Sequence, residues 1–557
     1  MLTRFSRNPV TAVVEKEAGW LLLASLISSM PKEELEEQIF DILSLWDAPF
    51  GGNPERKIKQ AEDLTSEIRV WSAAVEALTA FIRSFVSSSV TTINKGILLQ
   101  PVLVYLSGAL SYVTSLAAKQ LQNLKSSMDL FIIRTLIGYQ SLPDPLAYKS
   151  EHPQIINICT SPFRDPYGCE ESSCLRLLLD KRDACLGPWV PGRDWFEDEL
   201  RAFEGGKDGS MPCVWETELS SFPQPQTISK MVVNQMLLCF GTLFATQDSS
   251  GKLALLGMID QSLKAGKKLS WHVANTTNAC VGLLSGLKAL LALRPHALET
   301  EILSSAQAIF LVGIQVIDIW GILAEGEISA AQRRASSEGL GLLARLGNDV
   351  FTARMTRSLL GEIVATTDSS YGASVALALG CIHRSAGGMA LSTLVPSTVS
   401  LISSLAKSSN ADLQAWSLHG LLLTIEAAGL SYVSHVQATL FLAIEILLSE
   451  EHGWVSIRQG IGRLINAIVA VLGPELSPGS TFFSRCKSVV AEISSGQETS
   501  TLLECVRFTQ QLVLFAPQAV SVHSHIQTLL YTLSSRQPTL RHLAVSTLRH
   551  LIERDPV

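Results

Sequence analysis

One recurring phrase in the C-terminal half leaves this chain little choice of fold. Its last copy reads Arg541-His-Leu-Ala544-Val-Ser-Thr-Leu548. Residues i, i+3 and i+7 share one helix face, and a small residue at i+3 lets a second helix come close. Earlier copies are Arg333/Ser336/Leu340, Tyr371/Ser374/Ala378, Gln414/Ser417/Leu421, Arg458/Ile461/Ile465 and a weaker Thr499/Leu502/Val506. Their starts at 333, 371, 414, 458, 499 and 541 step by 38, 43, 44, 41 and 42 residues. A period of about 40–47 residues holding two helices is the spacing of HEAT and armadillo arrays. Ser329, Ser370 and Asp412 stand where N-caps are expected, and Pro538 suits a first helical turn. A second apolar helix falls between phrases, as at Tyr432 to Leu448 or Leu359 to Ala365, and Gly429, Gly473-Pro474 and Ala516-Pro517 punctuate the units.

Such helix pairs cannot bury their apolar sides alone, so stacked neighbours supply the core. That accounts for a composition of 47% hydrophobic and only 17% charged residues. The expected class is all-α, a HEAT/armadillo-like helical-repeat solenoid with an irregular insertion rich in Pro, Trp and Cys. Helices upstream are less regular: Leu35 to Trp46, Ile68 to Val86, Leu98 to Leu124 and Met128 to Tyr139, with a loop at Pro49 to Pro54. Helices resume at Ile228. Within 143–225 lie 10 of the 22 Pro residues and five Cys, and only Ser172 to Arg182 reads as firmly helical there. The texture divides the chain into N-terminal helical repeats (1–142), an insertion or long loop (143–227) and a HEAT-repeat solenoid (228–557). Trp189, Trp195, Phe196 and Trp215 in the insertion are candidate partner contacts, since aromatic side chains anchor interfaces.

The chemistry is sparse. A formal net charge of −7 gives no electrostatic footprint for nucleic acid. Cys239, Cys280, Cys381, Cys486 and Cys505 stand singly in apolar helical patterns, a cytosolic habit rather than a disulfide framework. The basic N-terminus meets Glu15, Lys16 and Glu17 before a signal-peptide core forms. Ile97 to Ala118 has no charge over a membrane-spanning length, but Gln100, Pro101 and its hydroxyl residues favour a buried helix of the array. Cys159, Cys169, Cys174, Cys185 and Cys213 lack the paired spacing of a structural zinc site. Gly339-Leu-Gly341-Leu-Leu-Ala344 mimics a dinucleotide fingerprint without the preceding strand, so close helix packing explains it better. Asn275-Thr-Thr277 fits a glycosylation sequon without secretory context. His523, His525, His542 and His550 fall on helices of the array, and no constellation meets the requirements of catalysis. We therefore expect no enzyme activity, no cofactor and no metal; a zinc or cofactor enzyme seated in the insertion is the remote alternative.

Several segments carry a family resemblance. Gln332-Arg-Arg-Ala-Ser-Ser-Glu-Gly-Leu340, Phe351-Thr-Ala-Arg-Met355, Val375 to Arg384, Gly387-Gly388, Leu413 to His419 and Val471-Leu-Gly-Pro-Glu-Leu476 follow in order. This series, over 330–557, is similar to the HEAT-repeat-containing protein five family. Glu17 to Leu23 and Trp71 to Ala80 extend it weakly towards the start. Asp165 to Cys174 and Trp189 to Phe196 resemble its plant, Sweetie-like branch. Members are several times longer, so the chain resembles one segment or a short form of such a scaffold. The resemblance implies a non-enzymatic scaffold for vesicle-mediated protein sorting between endosomes and the trans-Golgi network. It implies a cytoplasmic protein, peripheral to Golgi and endosomal membranes through its partners, working with the clathrin adaptor complex and its accessory proteins. Regulation of carbohydrate metabolism through a partner protein is the alternative that the plant branch suggests.

Overall fold

The computed structural model describes residues 9–61, 63–88, 95–117, 122–164, 228–265, 269–293, 298–316, 327–364, 367–387, 390–449, 454–496, 499–535 and 538–554. Among these the chain is a helical-repeat solenoid of the HEAT/armadillo kind, without a strand. The described residues group into two compact units, 9–164 with 228–251, and 252–554.

In unit 1, helices α1 (Pro9–Ser29), α2 (Leu64–Phe81), α4 (Lys125–Gln140) and α5 (Ile228–Thr246) form a row in which each packs on the next. Helix α3 (Lys95–Ala117) lies against α2 and α4. The expected helix from Leu35 to Trp46 is broken into short turns, Lys32–Glu36, Ile39–Ser44 and Asp47–Phe50, and the presumed loop continues into Pro54–Gln60. Aromatic side chains fill the space. Trp46 is fully buried, with Trp20 at 5.5 Å and Phe81 edge-on at 5.6 Å between ring centroids. Its indole N–H donates to the Ala74 carbonyl at 2.8 Å. Burying a side chain of this size stabilises by roughly 1.5–3 kcal/mol or more.

The expected irregular insertion begins as ordered helix. Pro145–Glu151 forms 3₁₀ turns, and His152–Cys159 and Ser161–Arg164 follow as α-helix. Pro145, Pro153 and Pro162 each sit in a first turn, where a missing N–H costs nothing because that donor has no partner inside the helix. Phe163 is buried edge-on against Phe240 of α5 at 5.4 Å. Proline density there reflected helix starts, not loss of structure. The rest of the insertion, from 165 to 227 and including the expected helix Ser172 to Arg182, lies outside the described residues.

Unit 2 is the repeat made visible. An inner row runs α6 (Leu269–Leu293), α8 (Glu327–Leu346), α10 (Ser369–Ala386), α12 (Ala411–Ala428), α14 (Val455–Leu472), α16 (Thr499–Phe515) and α18 (Pro538–Arg554), each packed on the one before it. Between them come α7 (Thr300–Ile314), α9 (Asp349–Val364), α11 (Val395–Leu405), α13 (Val436–Ser449), α15 (Thr481–Ser494) and α17 (Val522–Leu533). All six copies of the phrase fall on inner helices. Ser336, Ser374, Ser417, Ile461 and Ala544 at its i+3 position are fully buried.

The reason for small residues is closeness. A Cβ added to Gly420 would stand 2.2 Å from the Ala376 carbonyl oxygen, and one on Gly380 2.6 Å from that of Gly420, so α10 and α12 meet backbone to backbone. Gly341 faces the Cys381 carbonyl at 2.7 Å in the same way, and a Cβ at Gly339 would enter the Phe310 ring. The fingerprint-like glycines are packing residues, as expected.

Two caps differ from expectation. Asp368, not Ser370, caps α10 by accepting from the Ser370 N–H at 2.9 Å, and Asn410, not Asp412, caps α12 through the Leu413 N–H at 2.9 Å. Ser329 falls inside α8, while Pro538 does open α18. Gly429 and Gly473 end α12 and α14 with φ of 52° and 50°, a left-handed turn that glycine adopts without strain.

By length and composition Lys95–Ala117, His272–Leu293 and Ala411–Ser449 could each cross a bilayer; the last is interrupted by the 3₁₀ turns Gly429–His435. The protein buries 44%, 78% and 39% of their apolar windows. Helix α3 is thus half-covered rather than a buried helix: Leu98, Val102, Leu106 and Ala109 face inward while Ile97 and Val104 are exposed.

Candidate functional site

Trp189, Trp195, Phe196 and Trp215 lie outside the described residues, as do Cys169, Cys174, Cys185 and Cys213. The described cysteines behave as small hydrophobes. Cys159 and Cys239 are fully buried, and burial, together with the neighbouring Cys239 thiol, pushes the Cys159 thiol well up. Burial likewise pushes Cys280 and Cys486 to about 12, so neither is a ready nucleophile. Among the described residues no group of three or more His, Cys, Asp and Glu side chains is placed to hold a metal ion. Asn275 of the sequon is buried in α6. His525 Nδ1 lies 2.9 Å from the Ser521 carbonyl, and His523 is exposed beside it.

Polar chemistry inside unit 2 joins one repeat to the next. Arg333 of α8 donates from Nε to the Ser374 hydroxyl at 3.0 Å and from Nη2 to the Ser370 hydroxyl at 3.0 Å, both on α10. Its guanidinium also lies over the Trp416 ring of α12 at 5.0 Å, so one side chain ties three successive inner helices. Between α14 and α16, Glu504 is wholly buried, with Arg463 at 3.4 Å and Arg507 at 3.6 Å. Asn466 Nδ2 donates to its carboxylate at 2.9 Å and to its carbonyl at 3.1 Å. His383 of α10 faces the Thr398 hydroxyl of α11 at 2.9 Å, and burial pushes its imidazole down to about 4. These groups join neighbouring helices of successive repeats.

The outer helices of unit 2 carry exposed apolar side chains. Phe441 and Leu448 share the outward face of α13, and Leu430 and Val433 project from the turn before it. Charged partners frame them: Arg485 lies over the Phe441 ring at 5.2 Å, and Lys407 pairs with Glu445 at 2.8 Å.

Unit 1 holds a cavity of about 380 Å³ that opens to solvent. Lys16 and Trp20 of α1 form one wall and Glu67, Val70 and Trp71 of α2 another; the turns from Leu45 to Ala61 complete it. The two helices are clamped beside it by Arg69 and Glu17 at 3.0 Å. Trp71 stacks on Tyr112 at 4.3 Å, and the Tyr112 hydroxyl donates to the Pro49 carbonyl at 3.0 Å. Lys57 donates to the Ala48 and Pro49 carbonyls at 2.7 and 3.2 Å, and partial burial lowers its ammonium from the ordinary lysine range. Sequence reading did not find this cavity, although Glu17 to Leu23 and Trp71 to Ala80 were the upstream segments that carried the family resemblance, and the fold brings them together.

The comparisons with known proteins bear on this geometry. The chain resembles Protein SWEETIE of Arabidopsis thaliana. Identity is 66% over all 557 residues, and the chain spans 24% of that relative's length. No family model matches. Among solved structures, Kap121p covers 99% of this chain and 60% of its own at 12% identity and a TM-score of 0.42; Kap121p bound to Nup53p covers 99% and 59% at 13% and 0.40.

Proposed function

We propose that the chain is a segment of a non-enzymatic scaffold of the HEAT-repeat-containing protein five type, acting in vesicle-mediated protein sorting between endosomes and the trans-Golgi network. Its partners in this reading are the clathrin adaptor complex and its accessory proteins, which hold it at the membrane. The observation that carries the proposal is the similarity to SWEETIE over the whole chain, together with the ordered series of motifs from Gln332 to Leu476. The physical design supports it. Stacked helix pairs offer extended surfaces for protein partners, and the buried polar groups of unit 2 serve helix junctions rather than a reaction. Affinity capture from plant cells, with the chain tagged inside the full-length polypeptide, tests the reading. It predicts recovery of adaptor subunits above an untagged control, with loss of endosome-to-Golgi cargo return when the segment is deleted. Capture without coat or adaptor subunits and normal cargo return in the deletion line would sink it.

A further inference from the structure

We propose that the edge of α18 centred on Val545 and Ile552 is a seam between repeats, occupied by the inner helix of a further helix pair in the same polypeptide. The inner row itself supplies the comparison. Four residues after the start of each earlier phrase copy stand Ser337, Val375, Leu418, Gly462 and Leu503, and all five are buried. This position faces the following inner helix. The Ser337 hydroxyl donates to the Ser374 carbonyl of α10 at 3.4 Å. A Cβ on Gly460 of α14 would stand 3.1 Å from Leu418, and one on Gly462 2.9 Å from Glu504 of α16. In α18 the same position is Val545, 55% exposed. Seven residues further on, Ala344, Ile382, Ile425 and Val469 are buried in four of those copies. In the fifth, Gln510 donates to the Ser546 hydroxyl of α18 at 3.1 Å, so this position faces forward too. Its counterpart in α18 is Ile552, 67% exposed. An end repeat of a helical array needs a polar outer face, yet α18 presents two apolar side chains at positions that the array otherwise covers.

The other junctions show what fits there. Arg541 opens its phrase as Arg333 does, and Arg333 donates to the Ser370 and Ser374 hydroxyls of the next helix. An inner helix with small and hydroxyl residues in its first turns therefore completes the junction. The spacing of the row puts its phrase 38–44 residues beyond Arg541. A second copy of this chain fits less well. Helix α18 carries three Arg and one Glu, so two such edges in contact would set like charges together. A relative of which the chain spans only 24% has room for further repeats. The inference rests on the chain being a segment of a longer protein and not on which partners that protein binds.

The test is thiol labelling with a maleimide, read residue by residue by peptide mass spectrometry, on Val545→Cys and Ile552→Cys. Each is made in the 557-residue chain and in the full-length polypeptide. Both positions are exposed in the chain, so folding is unaffected and labelling is fast at nanomolar and micromolar protein alike. In the full-length polypeptide labelling slows about tenfold or more at both positions, as expected of a covered surface. Val545→Lys leaves the thermal midpoint of the chain unchanged and speeds proteolytic cleavage beyond α18 in the full-length protein. The proposal falls if labelling is equally fast in the two contexts. It also falls if the chain protects itself at micromolar concentration and loses that protection on dilution, since a second copy would then be the occupant. Failed adaptor capture leaves this result standing, and equal labelling leaves the sorting role standing.

Discussion

Both units bury a row of helices, and they do so with different side chains. Along the inner row of unit 2, helices meet through Ser374, Ser417, Gly380 and Gly420, close enough that backbone faces backbone. In unit 1 the large side chains Trp20, Trp46, Trp71, Phe81 and Tyr112 fill much of the space, and a Cβ on Gly138 would meet first the end of the Leu106 side chain, at 2.9 Å. Small residues let neighbouring backbones come together in unit 2, whereas in unit 1 Trp20 and Trp71 line a cavity of about 380 Å³. The regular half is built on close backbone contact, and the irregular half carries a cavity that opens to solvent.

Four substitutions or conditions test that contrast, from the largest expected effect to the smallest. Glu504→Ala strips the partner from Arg463 and Asn466 inside the α14–α16 junction and is expected to cost about 3–5 kcal/mol in urea unfolding, the usual price of an uncompensated buried charge. A loss near zero would mean that the ionic cluster does not hold the repeats together.

Acidification should weaken unit 2 through His383. Its folded imidazole is pushed down to about 4 from an ordinary 6.5, so the unfolded chain takes up the proton first. The stability this neutral histidine contributes is present above about pH 6.5 and is lost as pH falls towards 4, on the order of 3 kcal/mol. A His383→Gln variant should flatten that stretch of the stability curve; an unchanged slope would place the acid sensitivity elsewhere.

Gly420→Ala forces a Cβ against the Ala376 carbonyl and should destabilise by about 1–3 kcal/mol, while Gly138→Ala in unit 1 should cost less because the Leu106 methyl can turn aside. Equal costs in thermal denaturation would erase the distinction between the two rows. Phe441→Ser, on the exposed face of α13, should change stability by less than about 0.5 kcal/mol. A larger loss would show that its contact with Arg485 is structural.

Much of unit 2 was legible in the amino-acid order. The phrase from Arg333 to Leu548 marks the inner helices because a buried helix face must repeat i, i+3 and i+7, and a close junction needs Ser, Ala or Gly. Caps were placed two residues late at Asp368 and Asn410 because each segment offers several cap-competent side chains in succession, and only backbone geometry selects among them. The proline-rich start of the insertion misled for a related reason: Pro145, Pro153 and Pro162 signal both a break and a beginning.

Periodicity alone therefore determined the class of the protein, its repeat length and the identity of the helices that form the inner row. Those are properties of neighbours within a few turns, governed by how often an apolar side chain returns to one face. The fold decided the rest. Lys16 and Trp20, Pro49 and Lys57, and Glu67 and Trp71 are separated by tens of residues, and nothing local to any of them signals a cavity. Only packing α1 on α2 brings these side chains around one cavity, because which residues meet across the chain is a property of the folded neighbourhood and not of the local sequence.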